Sequence, residues 1–134
     1  MISRLALAIF FVVAGVNHFI FPQTYAAMIP DWLPGAGAAV FWSGLAEVVG
    51  GFGVLIPRLR RVAGWGLIAL LIAVFPANVD AAFNGMELFG GPVPTWVLWV
   101  RLPVQALFVW WVWLVCLRGT VQSKTNPSSV RRTR

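Results

Sequence analysis

Two residues of the chain carry full charge inside stretches that are otherwise apolar. Glu47 stands in the run LAEVVGGFG, and Arg101 stands in WVLWVRLPVQ. A charged side chain near the centre of a membrane helix costs about 2.5 to 3.5 kcal/mol to insert, so each of the two demands a partner or a polar cavity. Four further polar residues, Asn17, His18, Asn78 and Gln105, lie in or at the ends of the same apolar runs. The six offer hydrogen-bond donors at Arg101, Gln105 and Asn78 and titratable groups at His18 and Glu47. Such a set can hold a small polar group and exchange a proton with it. These six are the candidate ligand-binding residues, with no catalytic role assigned to any of them.

The elements that must position them are helices in a bilayer. Of 134 residues, 60% are hydrophobic and only 10% are charged, with a mean hydropathy of +0.83, far too apolar for an ordinary soluble domain. Four apolar runs, over roughly 5–21, 38–56, 62–79 and 96–117, each have about the length that crosses the hydrocarbon. The first continues to Phe21 with no A-x-A site after it, so it is expected to stay as a span and not to be cleaved as a signal peptide. Pro57 and the cluster Arg58, Arg60 and Arg61 leave a very short connection, which makes the second and third spans antiparallel neighbours.

The connections at 23–37 and 84–94 are rich in proline and glycine and read as loops at the membrane surface. The expected fold is therefore an all-α integral membrane protein, a four-transmembrane-helix bundle over 1–118, followed by a basic, disordered tail over 119–134. Arg4, Arg58, Arg60, Arg61, Arg118, Lys124, Arg131, Arg132 and Arg134 are nine of the ten basic residues, and all lie on one side of this alternation. The positive-inside rule then puts both termini in the cytoplasm and the connections carrying Asp31 and Glu87 outside. Trp32, Trp42, Trp96 and Trp99 fall near the outer interface as an aromatic belt.

A net charge of +6 gathered at chain ends and one short loop is what membrane topology requires and does not point to nucleic acid. Membrane lipid is the expected partner of the tail. One cysteine, Cys116, excludes a disulfide framework or a thiolate cluster within the chain. A metal or haem site is not expected, because His18 with Glu47 and Asp80 makes a poor ligand set.

All six polar residues converge on the outer half of the bundle. Glu47 and Arg101 differ in depth by about 7 Å, which two long side chains can close, so an ion pair is geometrically available, and the two charges read either as a structural pair that fixes helix register or as part of a ligand site. On the face of Glu47 lie Ser43, Gly44, Gly50 and Gly51, which either pack closely or leave a cavity. Ala69, Ala73 and Ala77 repeat at four-residue spacing, a ladder that favours close helix contact. Pro76 removes a backbone donor at the level of the polar residues and is expected to kink or unwind the third span.

The order Asn17-His18-Phe19, Glu47 in a glycine-rich helix, Arg58-Leu59-Arg60-Arg61, Phe75-Pro76-Ala77-Asn78 and Arg101-Leu102-Pro103-Val104-Gln105 resembles the DoxX family of small bacterial membrane proteins. The resemblance runs through about Trp113. It implies a four-helix bundle in the bacterial cytoplasmic membrane, and some relatives are associated with quinone-linked sulfur oxidation or with membrane oxidoreductase complexes. Two functions follow as expectations. In one the chain is a redox-associated subunit, working with a redox partner protein, whose polar pocket holds a quinone-like head group. In the other it is a non-catalytic assembly or interaction partner, and the polar residues hold the bundle together. A transporter is the weaker option, since no inverted repeats with broken helices are evident.

Overall fold

The computed structural model describes residues 1–88 and 90–118. The basic tail over 119–134 lies outside the described residues. Four long helices form, α1 (Ile2–Ile20), α3 (Ala36–Leu55), α4 (Arg60–Asn84) and α5 (Thr95–Cys116), all long and apolar enough to cross a membrane. A five-residue helix, α2 (Pro22–Ala26), follows α1 directly, and a short antiparallel hairpin, β1 (Glu87–Leu88) with β2 (Gly91–Pro92), joins α4 to α5. The described residues form a multi-pass membrane protein built on a bundle of four long helices.

The ends of these elements have local causes. Pro22 opens α2, where its missing N–H costs nothing and its fixed φ suits the first helical turn. The connection expected as a plain loop thus contains a helical turn. The third span was expected to close near 79, but α4 runs on to Asn84, whose amide donates to the Asp80 carboxylate at 2.9 Å. Gly85, at φ 76, then ends the helix with its N–H bonded to the Ala81 carbonyl. Pro76 sits inside α4 without interrupting it. At the other end of the bundle the Arg60 side chain donates to the Val54 carbonyl at 3.0 Å, satisfying one of the last carbonyls of α3.

Packing runs in series: α1 lies on α3, α3 on α4 and α4 on α5. The glycines of α3 explain the closeness of the first two seams. A β-carbon on Gly44 would stand 2.7 Å from that of His18, and one on Gly51 3.0 Å from the Ala8 carbonyl oxygen. On the neighbouring face, a β-carbon on Gly50 would meet Leu67 at 2.6 Å and one on Gly53 would meet Ala63 at 2.7 Å. Both possibilities left by the glycine-rich sequence are therefore resolved toward tight packing at these positions.

The half of the bundle nearest the Arg58–Arg61 turn is filled by Leu7, Phe11, Val54, Leu67, Ile68, Val112 and Cys116, drawn from all four long helices. At the opposite end Ala81, Ala82 and Leu98 form a second, smaller core with Met86, Val93 and Leu102 against it. Between α3 and α4 on that opposite side, the interior opens into a cavity.

Candidate functional site

The cavity has a volume of about 450 Å³, within the range of about 300 to 1,000 Å³ typical of small-molecule sites. Every helix contributes to it: His18 from the last turn of α1, Tyr25 from α2, Glu47 from the middle of α3, Asn78 from α4 and Arg101 from the second turn of α5. The rest of the wall is largely apolar, including Val40, Leu70 and Val74. Ala73 and Ala77 also line it, so these two members of the alanine ladder make room for the cavity, while Ala69 is exposed on the surface of α4. At the rim Trp42 on α3 is 64% exposed and Leu33 41%. Met28, Ile29 and Leu33, from the connection between α1 and α3, line the cavity as well.

Glu47 is largely enclosed, with 16% of its side chain exposed. Its Oε2 is buried and accepts no hydrogen bond from the described residues. The nearest basic group is His18, whose Nδ1 lies 3.5 Å from that oxygen. That Nδ1 is already committed, since it lies 2.9 Å from the Ala14 carbonyl oxygen, and a carbonyl only accepts. The hydrogen therefore sits on Nδ1 and points into the backbone of α1. The histidine is held by this bond and by its ring, which stacks on Tyr25 with centroids 3.9 Å apart and planes at 24°. It does not bond to Asn17 or Asn78.

Arg101 does not pair with Glu47, although their depths make a pair available. Its Nη1 donates to the Met86 sulfur at 3.4 Å, and its Nη2 lies 4.0 Å from the Met28 sulfur. Thioether sulfur is a weak acceptor, and a guanidinium has five N–H donors to place. Among the described residues no carboxylate lies within ion-pair distance of Arg101. Tyr25 stands within electrostatic reach of both charges: burial and the charge of Glu47 push its phenol above the ordinary 10.0, while Arg101 pulls the other way. Its hydroxyl keeps its proton at neutral pH.

Two of the six predicted residues serve elsewhere. Gln105, only 7% exposed, donates its amide to the Leu71 carbonyl of α4 and accepts from the Asn78 amide at 2.8 Å. It is a strut between α5 and α4 and does not line the cavity. Asn17, half-buried on α1, is also absent from the lining; its backbone carbonyl accepts from Phe21 N. His18, Glu47, Asn78 and Arg101 are brought together as expected. Tyr25, Met28, Trp42 and Ser43 also line the cavity; none of them is among the six candidates, although the sequence places Ser43 on the face of Glu47 and Trp42 in the outer aromatic belt. The signal for Tyr25 was Pro22 at a helix start, three residues before it. Among the described residues no three His, Cys, Asp or Glu side chains come together to hold a metal ion.

A family model described as a domain of unknown function, DUF8561, matches residues 7–116, and the chain belongs to that family. No curated protein and no solved structure matches the chain.

Proposed function

We propose that the cavity binds the oxygen-bearing head of a quinone-class molecule whose apolar body remains in the surrounding lipid. The observation that carries this reading is one cavity that holds, among the described residues, a guanidinium whose hydrogen-bond partners are two sulfurs and a carboxyl oxygen with no donor. Buried charge of this kind is expensive in a bilayer and is retained where a ligand or a polar path uses it. Arg101 donates to one oxygen of the head, Tyr25 offers a second donor and Glu47 receives a proton or a hydrogen bond. The apolar remainder of the wall suits a ring with aliphatic substituents.

In this reading the protein is a redox-associated subunit of the bacterial cytoplasmic membrane, similar to the DoxX family, and serves a partner redox protein that takes or supplies electrons. Both termini are cytoplasmic in this reading, because Arg4, Arg58, Arg60, Arg61 and Arg118 stand at that end of the bundle. The test is a titration of purified protein in nanodiscs with a decyl-substituted benzoquinone and, anaerobically, with its hydroquinone, followed by tryptophan quenching. Trp42 lines the cavity and is the reporter. Binding of either form, weakened at least tenfold, about 1.4 kcal/mol, by Arg101→Leu and not by the surface change Val49→Ala, supports the reading. No binding of either form overturns it.

A further inference from the structure

We propose that this cavity takes the reduced, hydroxyl-bearing head in preference to the oxidised one, an inference that rests on the reading above and assigns the redox form that it recognises. It comes from the polarity of the hydrogen bonds left open in the cavity wall. The orientation of each group can be fixed by following its bonds back to a backbone carbonyl, which accepts and never donates.

Leu71 provides the first such anchor. Its carbonyl receives a hydrogen bond from Gln105, so the atom turned to it is the amide nitrogen and Gln105 presents its oxygen to Asn78. Asn78 must then give its own NH₂ to Gln105, which leaves the Asn78 carbonyl oxygen, an acceptor, for the cavity it lines. The Ala14 carbonyl is the second anchor: it takes the hydrogen of His18 Nδ1, so in the neutral ring Nε2 is a bare acceptor. The third is the Val40 carbonyl, which receives the Ser43 hydroxyl hydrogen at 3.0 Å and leaves that oxygen with lone pairs only. Glu47 adds its unpartnered Oε2, and in either protonation state at least one of its oxygens accepts.

Four side chains therefore present acceptors, and the donors lining the same cavity are Arg101, the Tyr25 hydroxyl and the Trp42 indole N–H. A quinone carries only carbonyl oxygens and could satisfy the donors while leaving every acceptor unmet. A hydroquinone carries the same two oxygens, each with a hydrogen to give. One of its hydroxyls can accept from Arg101 while the opposite one donates to Glu47. Sites built to hydrogen-bond a hydroxyl discriminate strongly against analogues lacking it, because the buried acceptor is left unpaired.

The experiment compares the two redox forms of the decyl-substituted benzoquinone, and the dimethyl ether of its hydroquinone, on the full chain in nanodiscs under argon. Each affinity is corrected for partition into empty discs. The hydroquinone is expected to bind at least tenfold more tightly than the quinone. The dimethyl ether, with the same body and no O–H, is expected to bind as weakly as the quinone. Glu47→Gln, which replaces an acceptor by an amide donor at nearly constant shape, should reduce the tenfold preference to threefold or less. Equal or tighter binding of the quinone, or an ether as tight as the hydroquinone, overturns the proposal while leaving quinone-class binding standing. Failure of all three compounds to bind overturns both. The ether comparison uses the unaltered protein, so it decides the matter even if the Glu47 variant does not fold.

Discussion

Glu47 on α3 and Arg101 on α5 line the same cavity from opposite helices, and each meets something other than its opposite charge: a bonded histidine in one case, two methionine sulfurs in the other. A buried ion pair loses about 3 to 5 kcal/mol when one member is removed, and the loss is recovered when both go. Without a direct pair, Glu47→Gln and Arg101→Gln should act nearly independently on stability. Thermal unfolding of the two single variants and the double variant in one detergent should give a coupling below about 1 kcal/mol. A coupling of several kcal/mol would mean that the two side chains meet.

The close seams of α3 make a second expectation. A β-carbon on Gly15 would lie 2.6 Å from the Gly44 carbonyl oxygen and 2.9 Å from Val48 N, both backbone atoms that cannot swing away. Overpacking of this kind typically costs about 1 to 3 kcal/mol, so Gly15→Ala should lower the unfolding temperature clearly. Gly66, on α4, has nothing within 4 Å of the same position, and Gly66→Ala should leave stability unchanged or slightly raised. Equal behaviour of the two variants would mean that α1 and α3 are further apart.

The four spans and the polar residues of the cavity were legible because both depend on sums along the chain: length, hydropathy and depth counted at a fixed rise per residue. What depth cannot supply is azimuth. Glu47 and Arg101 are within reach of each other by height, yet Met28, from a connecting segment, and Met86, beyond α4, take the positions beside the guanidinium. Gln105 was read as a ligand group, and its burial against the Leu71 backbone carbonyl leaves no trace in residue types. Tyr25 was hidden in a proline-rich connection because a five-residue helix is too short to show a period.

Orientation in the membrane is open to direct measurement, since Arg4, Arg58, Arg60, Arg61 and Arg118 stand at one end of the bundle while Asp31 and Glu87 lie in the connections at the other. In a Cys116→Ala background, Gln23→Cys and Glu87→Cys should react with an impermeant thiol reagent added to intact cells. Leu59→Cys, in the arginine turn and 49% exposed, should react only after the membrane is opened. Labelling of position 59 in intact cells would reverse the proposed topology.

Tyr25 allows the electrostatics of the cavity to be read directly, because it is the one tyrosine in the chain and its ionisation alone changes phenol absorbance near 295 nm. Burial first, and then the negative charge of Glu47, raise its pKa above 10.0, and Arg101 opposes them. The folded protein in detergent should therefore titrate above the midpoint seen after unfolding. Glu47→Gln should bring the midpoint down and Arg101→Gln should push it further up, so the three proteins should titrate in the order Glu47→Gln, unaltered, Arg101→Gln. The sign for stability follows from the same shift. A phenol whose folded pKa is raised favours the folded state with its proton on, so stability is unaffected by this group well below 10.0 and falls as pH climbs from there through the folded midpoint. Tyr25→Phe keeps a ring to stack on His18 and removes the ionisation, so it should abolish this group's share of the alkaline loss. If the midpoint is the same folded and unfolded, or is indifferent to both charges, Tyr25 faces water and the cavity is open at α2.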